Sequence, residues 1–314
     1  MIAGRRAMRL VLLRNRPRCN ATPVRRSGPK LWSGSLLAVH ILFGLVSAVS
    51  AGASDFLGGF ASRQAKAIFI NAGSHFVGLF AVLITALVFG GDPSSADVAW
   101  GLAAGLGSSL GLLSLYQGIA HSSVAIVSPI AGVGAAALPV LYDVAGGESL
   151  SAGAGIGIVL GLVAIALVSL QGGEATGSPK AGVLFGLGGA FGLGFLLIGL
   201  GQATDDAGVW PVMYSRASGF VVLLVIISAT RTRIEMPAAA IPLTIGVGIL
   251  SASANSFFTA GAQIGSLATV AVLSAMFPAF TVLLARVVFR EQLRTIQLVG
   301  LALALVAVGL IASA

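Results

Sequence analysis

The sequence predicts an all-α polytopic membrane protein with ten transmembrane helices, arranged as two inverted five-helix repeats. Hydrophobic residues make up 57% of the 314 positions and charged residues only 9%. A soluble domain of this size exposes far more charge, so lipid is the expected solvent for most of the chain. The apolar runs suit helical spans, and they are too long and too poor in alternation for barrel strands. The second half of the chain also repeats the first, which predicts the two-repeat arrangement.

Ten apolar runs predict the spans, each close to the roughly 20 residues that cross the hydrocarbon layer. They cover residues 35–60, 67–89, 98–118, 122–142, 152–171, 181–201, 210–229, 239–261, 266–289 and 295–313. The breaks between them carry turn-forming residues, as in GGDPSSAD (90–97) and GGEATGSPK (172–180). No break is long enough to hold a soluble domain.

Residues 1–34 form a basic tail that we expect to be disordered. Nine of the 18 Lys and Arg residues lie in the first 30 positions, so most of the net charge of +8 belongs to this tail. A polybasic segment beside a span is typical of contact with anionic lipid head groups, and a targeting segment is the alternative. The charge does not indicate nucleic-acid binding, because no basic face exists beyond the tail. Cys19 is the single cysteine, which excludes intramolecular disulfides and cysteine-cluster metal sites.

Two charge patterns disagree about the orientation of the chain in the membrane. Connections after odd-numbered spans carry Lys and Arg, whereas those after even-numbered spans are acidic, so loop counting places the N-terminus outside. The basic tail beside the first span favours an N-terminus inside. Because the first helix usually dominates, we predict cytoplasmic termini and a multi-pass protein of the cell (plasma or inner) membrane. Trp32, Trp100 and Trp210 open odd-numbered spans, which predicts an aromatic belt on one membrane face.

The internal repeat appears as an ungapped register of 143 positions between the two halves of the chain. The aligned pairs include SVAIV (123–127) with SLATV (266–270), Gly118 with Gly261, Glu148 with Glu291 and, at an offset of 142, FGL (43–45) with FGL (185–187). Five spans per copy is an odd number, so the second copy enters the membrane from the opposite side. Inverted repeats are typical of secondary transporters, whose substrate site lies near the midplane between the copies.

Two segments resemble the EamA repeats of the drug/metabolite transporter (DMT) superfamily: YQGIAHSSVAIVSPIAGVGAAALPVLYDVAGGESL (116–150) and AQIGSLATVAVLSAMFPAFTVLLARVVFREQL (262–293). In that family a short link between the third and fourth helices is followed by a small-residue helix, a Pro and an acidic boundary before the last helix. Two positions depart from the family pattern. Arg290 stands where Gly commonly precedes the Glu, and Ala51 stands where a Trp commonly precedes Gly52.

The resemblance implies both the domain organisation and the kind of activity. It implies a first EamA repeat over residues 35–171, with spans 1–5, and a second over 181–313, with spans 6–10. It also implies a secondary transporter or facilitator that exports a small metabolite, an amino-acid-like or amphipathic compound, by alternating access. The expected partners are the lipid bilayer and the small-molecule substrate, while the oligomeric state stays open; protons are a further candidate partner, as the coupling ion, on the basis of Asp55 and His75 rather than of the resemblance.

Polar residues of spans one and two are candidates for a substrate cavity. Asp55 lies past the middle of span one, where an ionisable group is costly unless it faces water or a partner; an interfacial Asp is the alternative. Asn71, Ser74 and His75 share one face of span two at helical spacing. Asp55 and His75 are the proton-coupling candidates, because both side chains can carry a proton. A His that is hydrogen-bonded to a neighbouring helix is the alternative for His75.

Arg216 is an arginine well inside a span, the seventh, and it follows Tyr214. It lies near the register position of His75, and inversion places these two basic groups on opposite sides of the midplane. Arg216 and Asp55 should differ in depth by roughly 12–17 Å, which argues against an ion pair. We predict that Arg216 faces the cavity as a contact for an anion or carboxylate, with snorkelling to the interface as the alternative. The remaining cavity candidates, which line a polar path or join helices, are Tyr116, Asn255 and Thr259.

Motifs that the sequence lacks limit its chemistry. It has no G-x-x-x-x-G-K-[ST], so ATP is not the expected energy source, and no H-E-x-x-H or paired Cys/His set. We expect no enzyme activity, no metal and no cofactor. Two rival functions stay open at this point. An intramembrane enzyme acting on lipids needs a nucleophile and base clustered at one depth, and a non-transporting membrane assembly subunit predicts no continuous polar path.

Overall fold

Ten α-helices make up most of the residues that the computed structural model describes, which are 34–147, 151–169, 178–233, 235–264, 270, 273–274, 276–288 and 295–312. In chain order they are α1 (Gly34–Ala61), α2 (Ala67–Phe89), α3 (Ser95–His121), α4 (Val124–Ala145), α5 (Ala152–Ser169), α6 (Pro179–Gly201), α7 (Trp210–Ala229), α8 (Ala240–Ile264), α9 (Phe277–Val288) and α10 (Thr295–Ala312). A short 3-10 turn, Asp205–Ala207, lies between α6 and α7. One helix corresponds to each predicted span, which confirms the predicted all-α fold.

Seven of the described helices, α1 to α4 and α6 to α8, are long and apolar enough to cross a membrane. Three shorter apolar segments, Ala152–Ala164, Phe277–Val288 and Leu298–Leu310, lie in α5, α9 and α10. Apolar side chains on the outward faces of these helices are exposed, as expected for surfaces in contact with hydrocarbon. The chain is a multi-pass membrane protein.

Local capping sets helix starts that hydropathy does not detect. Ser94 Oγ accepts a hydrogen bond from Asp97 N at 3.2 Å, and Asp97 Oδ2 accepts one from Ser94 N at 2.8 Å. This capping box starts α3 at Ser95, three residues before the predicted span. Ser123 Oγ accepts from Ala125 N at 3.2 Å and caps α4. The Ser that opens SVAIV is therefore a helix start.

The predicted ninth span is not one continuous helix in the part of the chain that the structure describes. A turn at Met276 interrupts the predicted 266–289 span, and α9 begins at the next residue. The turn lies two residues before Pro278, whose missing N–H cannot continue a helical ladder. Some predictions fall outside the described residues: the disordered tail, Trp32, Glu148, Arg290, Glu291 and positions 266–269 of the second echo.

The two halves of the chain pack through matching interfaces. α3 packs on α6, and its counterpart α8 packs on α1, where Ser47 Oγ donates to Ala254 O at 2.9 Å and Ser54 Oγ donates to Val247 O at 3.2 Å. α3 also packs on α7 as α8 packs on α2. Counterparts also meet each other directly, as α2 meets α7 and α5 meets α10. Each contact between the halves is therefore matched by the contact between the two counterpart helices, as two inverted five-helix repeats require.

Glycines from the sequence repeat lie at equivalent helix contacts. A Cβ on Gly118 would lie 2.8 Å from Val127 Cγ1 and 2.9 Å from Phe185 Cβ. A Cβ on Gly261 would meet the equivalent side chains, Val270 Cγ1 at 3.1 Å and Phe43 Cβ at 3.2 Å. Small residues let helices approach closely inside a membrane protein. The sequence repeat therefore corresponds to the same contact among three helices, present once in each half.

Candidate substrate-binding site

His75 and Arg216 meet where α2 crosses α7, the counterpart helices of the two halves. A Cβ on Gly78 would lie 3.3 Å from Arg216 Cδ, and a Cβ on Gly219 would lie 2.5 Å from His75 Cδ2. Each glycine follows the basic residue of its own helix by three positions, so each basic side chain fills the space that the other helix leaves open. Because each contact lies three residues from the other along its helix, the two basic side chains are offset by about 4.5 Å along the helices.

The ring of His75 is buried, and both of its nitrogens have partners within the protein. Nδ1 lies 3.0 Å from the carbonyl oxygen of Asn71, and because a carbonyl only accepts, Nδ1 carries the hydrogen. Nε2 lies 3.3 Å from Ser108 Oγ on α3. This geometry is that of a histidine joined to a neighbouring helix. No hydrogen bond joins it to Asp55 among the described side chains.

Arg216 is buried in the protein interior, with 1% of its surface exposed. Its Nε and Nη1 atoms have no hydrogen-bond partner. Within the described ranges, no carboxylate forms an ion pair with this guanidinium. The ion pair found there joins Lys66 to Glu235 at 3.8 Å, in loops far from Arg216. A snorkelling side chain would end in solvent or head groups, so the burial of Arg216 contradicts that alternative.

Tyr116 of α3 approaches α1 one turn from Asp55, where its ring packs on Gly58, and α3 also packs on α7, the helix of Arg216. Its ring is fully buried and packs directly on Gly58 of α1, which leaves no room there for a side chain. The hydroxyl of Tyr116 lies beside Ser54 and makes no hydrogen bond of ordinary geometry. Asp55 is also buried, with 6% of its surface exposed. The structure thus buries one acid, one phenol and one guanidinium on three helices joined by these contacts.

Asp55 and Arg216 lie closer in depth than the sequence predicts. Ser54, next to Asp55, donates to Val247 O, and a Cβ on Gly78 would lie 3.2 Å from the carbonyl oxygen of the following residue of α8 as well as 3.3 Å from Arg216 Cδ. Ser54 and Gly78, the neighbours of the two groups, thus approach consecutive residues of α8, which argues against the predicted difference of roughly 12–17 Å. The prediction assumed even spacing of the spans, which these contacts do not follow.

The other candidates of the first half are held by neighbouring groups. Asn71 Nδ2 donates to Ser109 O on α3 at 2.7 Å, while its Oδ1 has no partner. Ser74 Oγ donates to the carbonyl of Asn71 within its own helix at 2.8 Å. Asn71 therefore joins α2 to α3 and still presents one unsatisfied acceptor, whereas the hydroxyl of Ser74 is engaged locally.

The candidates of the second half differ in their surroundings. Thr259 is buried and its Oγ1 has no partner, as for Tyr116, its equivalent at the offset of 143. Asn255 is half-buried on the same helix. Tyr214 is half-buried and stacks on Trp210, with ring centroids 6.1 Å apart. Tyr214 thus packs near the start of α7, while Thr259 repeats the unsatisfied hydroxyl of the first half.

Two serines of the interior escape prediction from the sequence. Ser108 contacts the His75 ring, and Ser128 on α4 is fully buried with an unpartnered Oγ. The sequence feature beside Ser128 is Pro129, which cannot donate to the carbonyl four residues earlier. Serines are frequent in this chain, and nothing local distinguishes these two from those that bond to their own helix.

Asp97 ties the α6–α7 connection to the start of α3. Its Oδ1 accepts from Thr204 N at 2.8 Å, and its Oδ2 accepts from Thr204 Oγ1 at 3.0 Å. Gln263 Nε2 at the end of α8 donates to Gly208 O of the same connection at 3.1 Å. Side chains from two helices therefore fix this loop at one membrane face.

Asp97→Ala should loosen the α6–α7 connection and lower the free energy of unfolding by about 1–3 kcal/mol. It removes the helix cap and leaves four former donor groups of Ser94 and Thr204 without that acceptor. Hydrogen exchange of residues 202–209 and thermal unfolding in detergent measure the effect. Asp205→Ala, at an exposed position of the same loop, is the matched control. Equal exchange in both variants would contradict the role of Asp97.

The family assignment follows from the whole chain. The EamA-like transporter family matches residues 38–170 and, separately, residues 180–313. The chain belongs to the EamA-like transporter family. The two matches fall on α1–α5 and α6–α10, so each half is one EamA repeat. The predicted membership of the DMT superfamily is confirmed, and the protein is a membrane transporter rather than an enzyme.

Known structures share the fold of this EamA transporter. Thirteen chains of solved structures match it. One of them, described as the crystal structure of a protein, aligns with a TM-score of 0.60 and 13% identity over 87% of this chain and 96% of its own. At that identity the likeness shows the shared fold alone. No curated protein matches the chain.

Proposed function

We propose that this EamA transporter exports a small metabolite, an amino-acid-like or amphipathic compound, by alternating access between its halves. The observation that carries the proposal is a set of buried polar atoms without partners, contributed by both halves: Asn71 Oδ1, Tyr116 Oη, Ser128 Oγ, Arg216 Nε and Nη1, and Thr259 Oγ1. A buried polar group without a partner costs about 1–3 kcal/mol. A bound substrate between the halves would supply the missing donors and acceptors.

Contacts between connections at both membrane faces support the alternating mechanism. The Asp97–Thr204 tie joins connections that follow even-numbered helices, and the Lys66–Glu235 ion pair joins connections that follow odd-numbered ones. Since the chain crosses the membrane between them, the two contacts lie on opposite faces. Alternating access requires that such contacts break in turn as one repeat rocks against the other. Surface ion pairs contribute only about 0–1 kcal/mol, so the Lys66–Glu235 contact breaks readily.

Orientation and coupling complete the proposal. With cytoplasmic termini in the cell membrane, the Asp97–Thr204 tie faces the cytoplasm and the Lys66–Glu235 pair faces outward. Protons are the proposed coupling ion, and Asp55 is the first candidate to carry them, with His75 as the second. Asp55 is buried inside a membrane-spanning helix, where an ionisable residue is a functional candidate by default.

A metabolite panel on proteoliposomes tests the function. The full chain is reconstituted, and efflux of labelled amino acids, organic acids and amphipathic amines is followed with and without a pH gradient. We expect efflux of at least one compound above that of protein-free liposomes, accelerated by the gradient. Flux without gradient dependence would remove proton coupling and leave a facilitator. Absence of flux for every compound would favour a non-transporting role of the same fold.

A further inference from the structure

The charge of Arg216 lacks a counter-ion in the described structure. The side chain is buried, two of its three nitrogens have no partner, and no carboxylate forms an ion pair with it. Burying a charge without a partner is among the most expensive arrangements in a protein, and in membranes such residues mark substrate or ion paths. A bound anion would pair with the guanidinium and offset the cost of burying its charge.

The interior around Arg216 contains a further donor. Tyr116 Oη on α3 lies beside Ser54 Oγ, which donates instead to Val247 O, and it makes no hydrogen bond of ordinary geometry. The nearby His75 ring is occupied by Asn71 and Ser108, and its Nδ1 is a donor. Asp55, which also interacts with Tyr116, makes no ion pair with the guanidinium within the described ranges. The group that would satisfy Arg216 and Tyr116 together is a negatively charged acceptor.

We infer that Arg216 and Tyr116 form a subsite for an anionic group of the transported molecule, a carboxylate or a phosphate. The inference rests on the proposed transport function and adds the chemical class of the cargo. Guanidinium is planar, always charged and presents donors that match both groups. Gly58 holds the Tyr116 ring and Gly78 accommodates the Arg216 side chain, so both donors are held in place before the anion binds. The cargo is therefore an organic acid, a zwitterion or a phosphate ester rather than a simple amine.

Thermal unfolding of the full chain in detergent tests the subsite without requiring transport. The probes are propionate, its neutral isostere propionamide, and inorganic phosphate, all at ionic strength matched with chloride. We expect propionate or phosphate to raise the melting temperature and propionamide to leave it unchanged. A larger shift with propionate assigns the site to carboxylates, and a larger shift with phosphate assigns it to phosphate esters. Equal shifts with propionate and propionamide would overturn the inference.

Two variants locate the effect. Arg216→Gln should weaken binding of the effective anion by roughly 30-fold or more, since it removes the charged partner of a buried ion. Arg286→Gln, at an exposed arginine of α9, is the matched control and should bind as wild type. Tyr116→Phe keeps the ring over Gly58 and removes the hydroxyl, so it should weaken binding by roughly tenfold. If Arg216→Gln does not fold, Tyr116→Phe carries the test, and anion affinity unchanged in the variants that fold overturns the subsite.

The outcomes separate the subsite from the transport function. Anion protection that depends on Arg216 and Tyr116, with no flux of any compound, would uphold the subsite and overturn transport. Flux that favours neutral or cationic compounds and survives Arg216→Gln would uphold transport and overturn the subsite. Anion flux that is lost in Arg216→Gln and kept in Arg286→Gln would support both.

Discussion

Asp55→Asn should reduce proton-driven efflux to the level of protein-free liposomes while exchange of the same substrate across the membrane continues without a gradient. Asn has nearly the same size and shape as Asp, but its side-chain amide cannot take up and release a proton as a carboxylate does. Asp55 lies on α1, the helix whose Ser47 and Ser54 bond to α8 of the other half. A proton bound there changes the charge at an interface between the repeats, which is where coupling must act.

His75→Gln provides the comparison within the same site. Both nitrogens of His75 have partners in α2 and α3, and no hydrogen bond joins the ring to Asp55 in the residues described. If Asp55 alone carries the proton, His75→Gln keeps gradient-driven efflux; if the two form a relay, it loses it. Asp205→Asn, at an exposed carboxylate in the α6–α7 connection, controls for the loss of an acidic group. Gradient-driven efflux that persists in Asp55→Asn would remove Asp55 from the mechanism.

The number and order of helices could be predicted from the sequence because hydrocarbon imposes long apolar runs. The inverted repeat could also be predicted, since Gly118 and Gly261 occupy equivalent contacts that only small residues allow. The ends of the helices were harder to predict from the sequence. The capping box of Ser94 and Asp97 lengthens α3 with polar residues, which a hydropathy pattern assigns to the loop.

The arrangement of the candidate site could not be predicted from local pattern. The position of Arg216 inside a span is equally compatible with burial and with snorkelling, because its own helix does not determine which face meets a neighbour. The deciding feature is Gly78 on α2, from the other half of the chain, which accommodates the Arg216 side chain. The approach of Tyr116 to α1 near Asp55 likewise depends on Gly58, which leaves room for the Tyr116 ring. The sequence could identify the candidate residues, but which of them lie close together depends on how the helices cross.

Gly219→Ala should lower the free energy of unfolding by about 2–4 kcal/mol, because the added methyl group collides with the His75 ring. Its Cβ would lie 2.5 Å from Cδ2 and 2.6 Å from Nε2 of that ring, and 3.1 Å from Gly105 O. The ring is fully buried and bonded to Asn71, so it cannot move aside without losing a hydrogen bond. Gly78→Ala meets Arg216 Cδ at 3.3 Å and should cost less than about 1 kcal/mol.

A double-mutant cycle distinguishes this collision from a general effect of alanine in the helix. His75→Ala removes the obstructing ring, so the cost of Gly219→Ala should fall by about 1–3 kcal/mol in that background. Thermal and denaturant unfolding in detergent measure all four proteins. Gly309→Ala on α10, where nothing lies within 4 Å of the added Cβ, should be neutral or stabilising by up to ~1 kcal/mol. Additive costs of His75→Ala and Gly219→Ala would contradict the crossing, since residues in direct contact must be coupled.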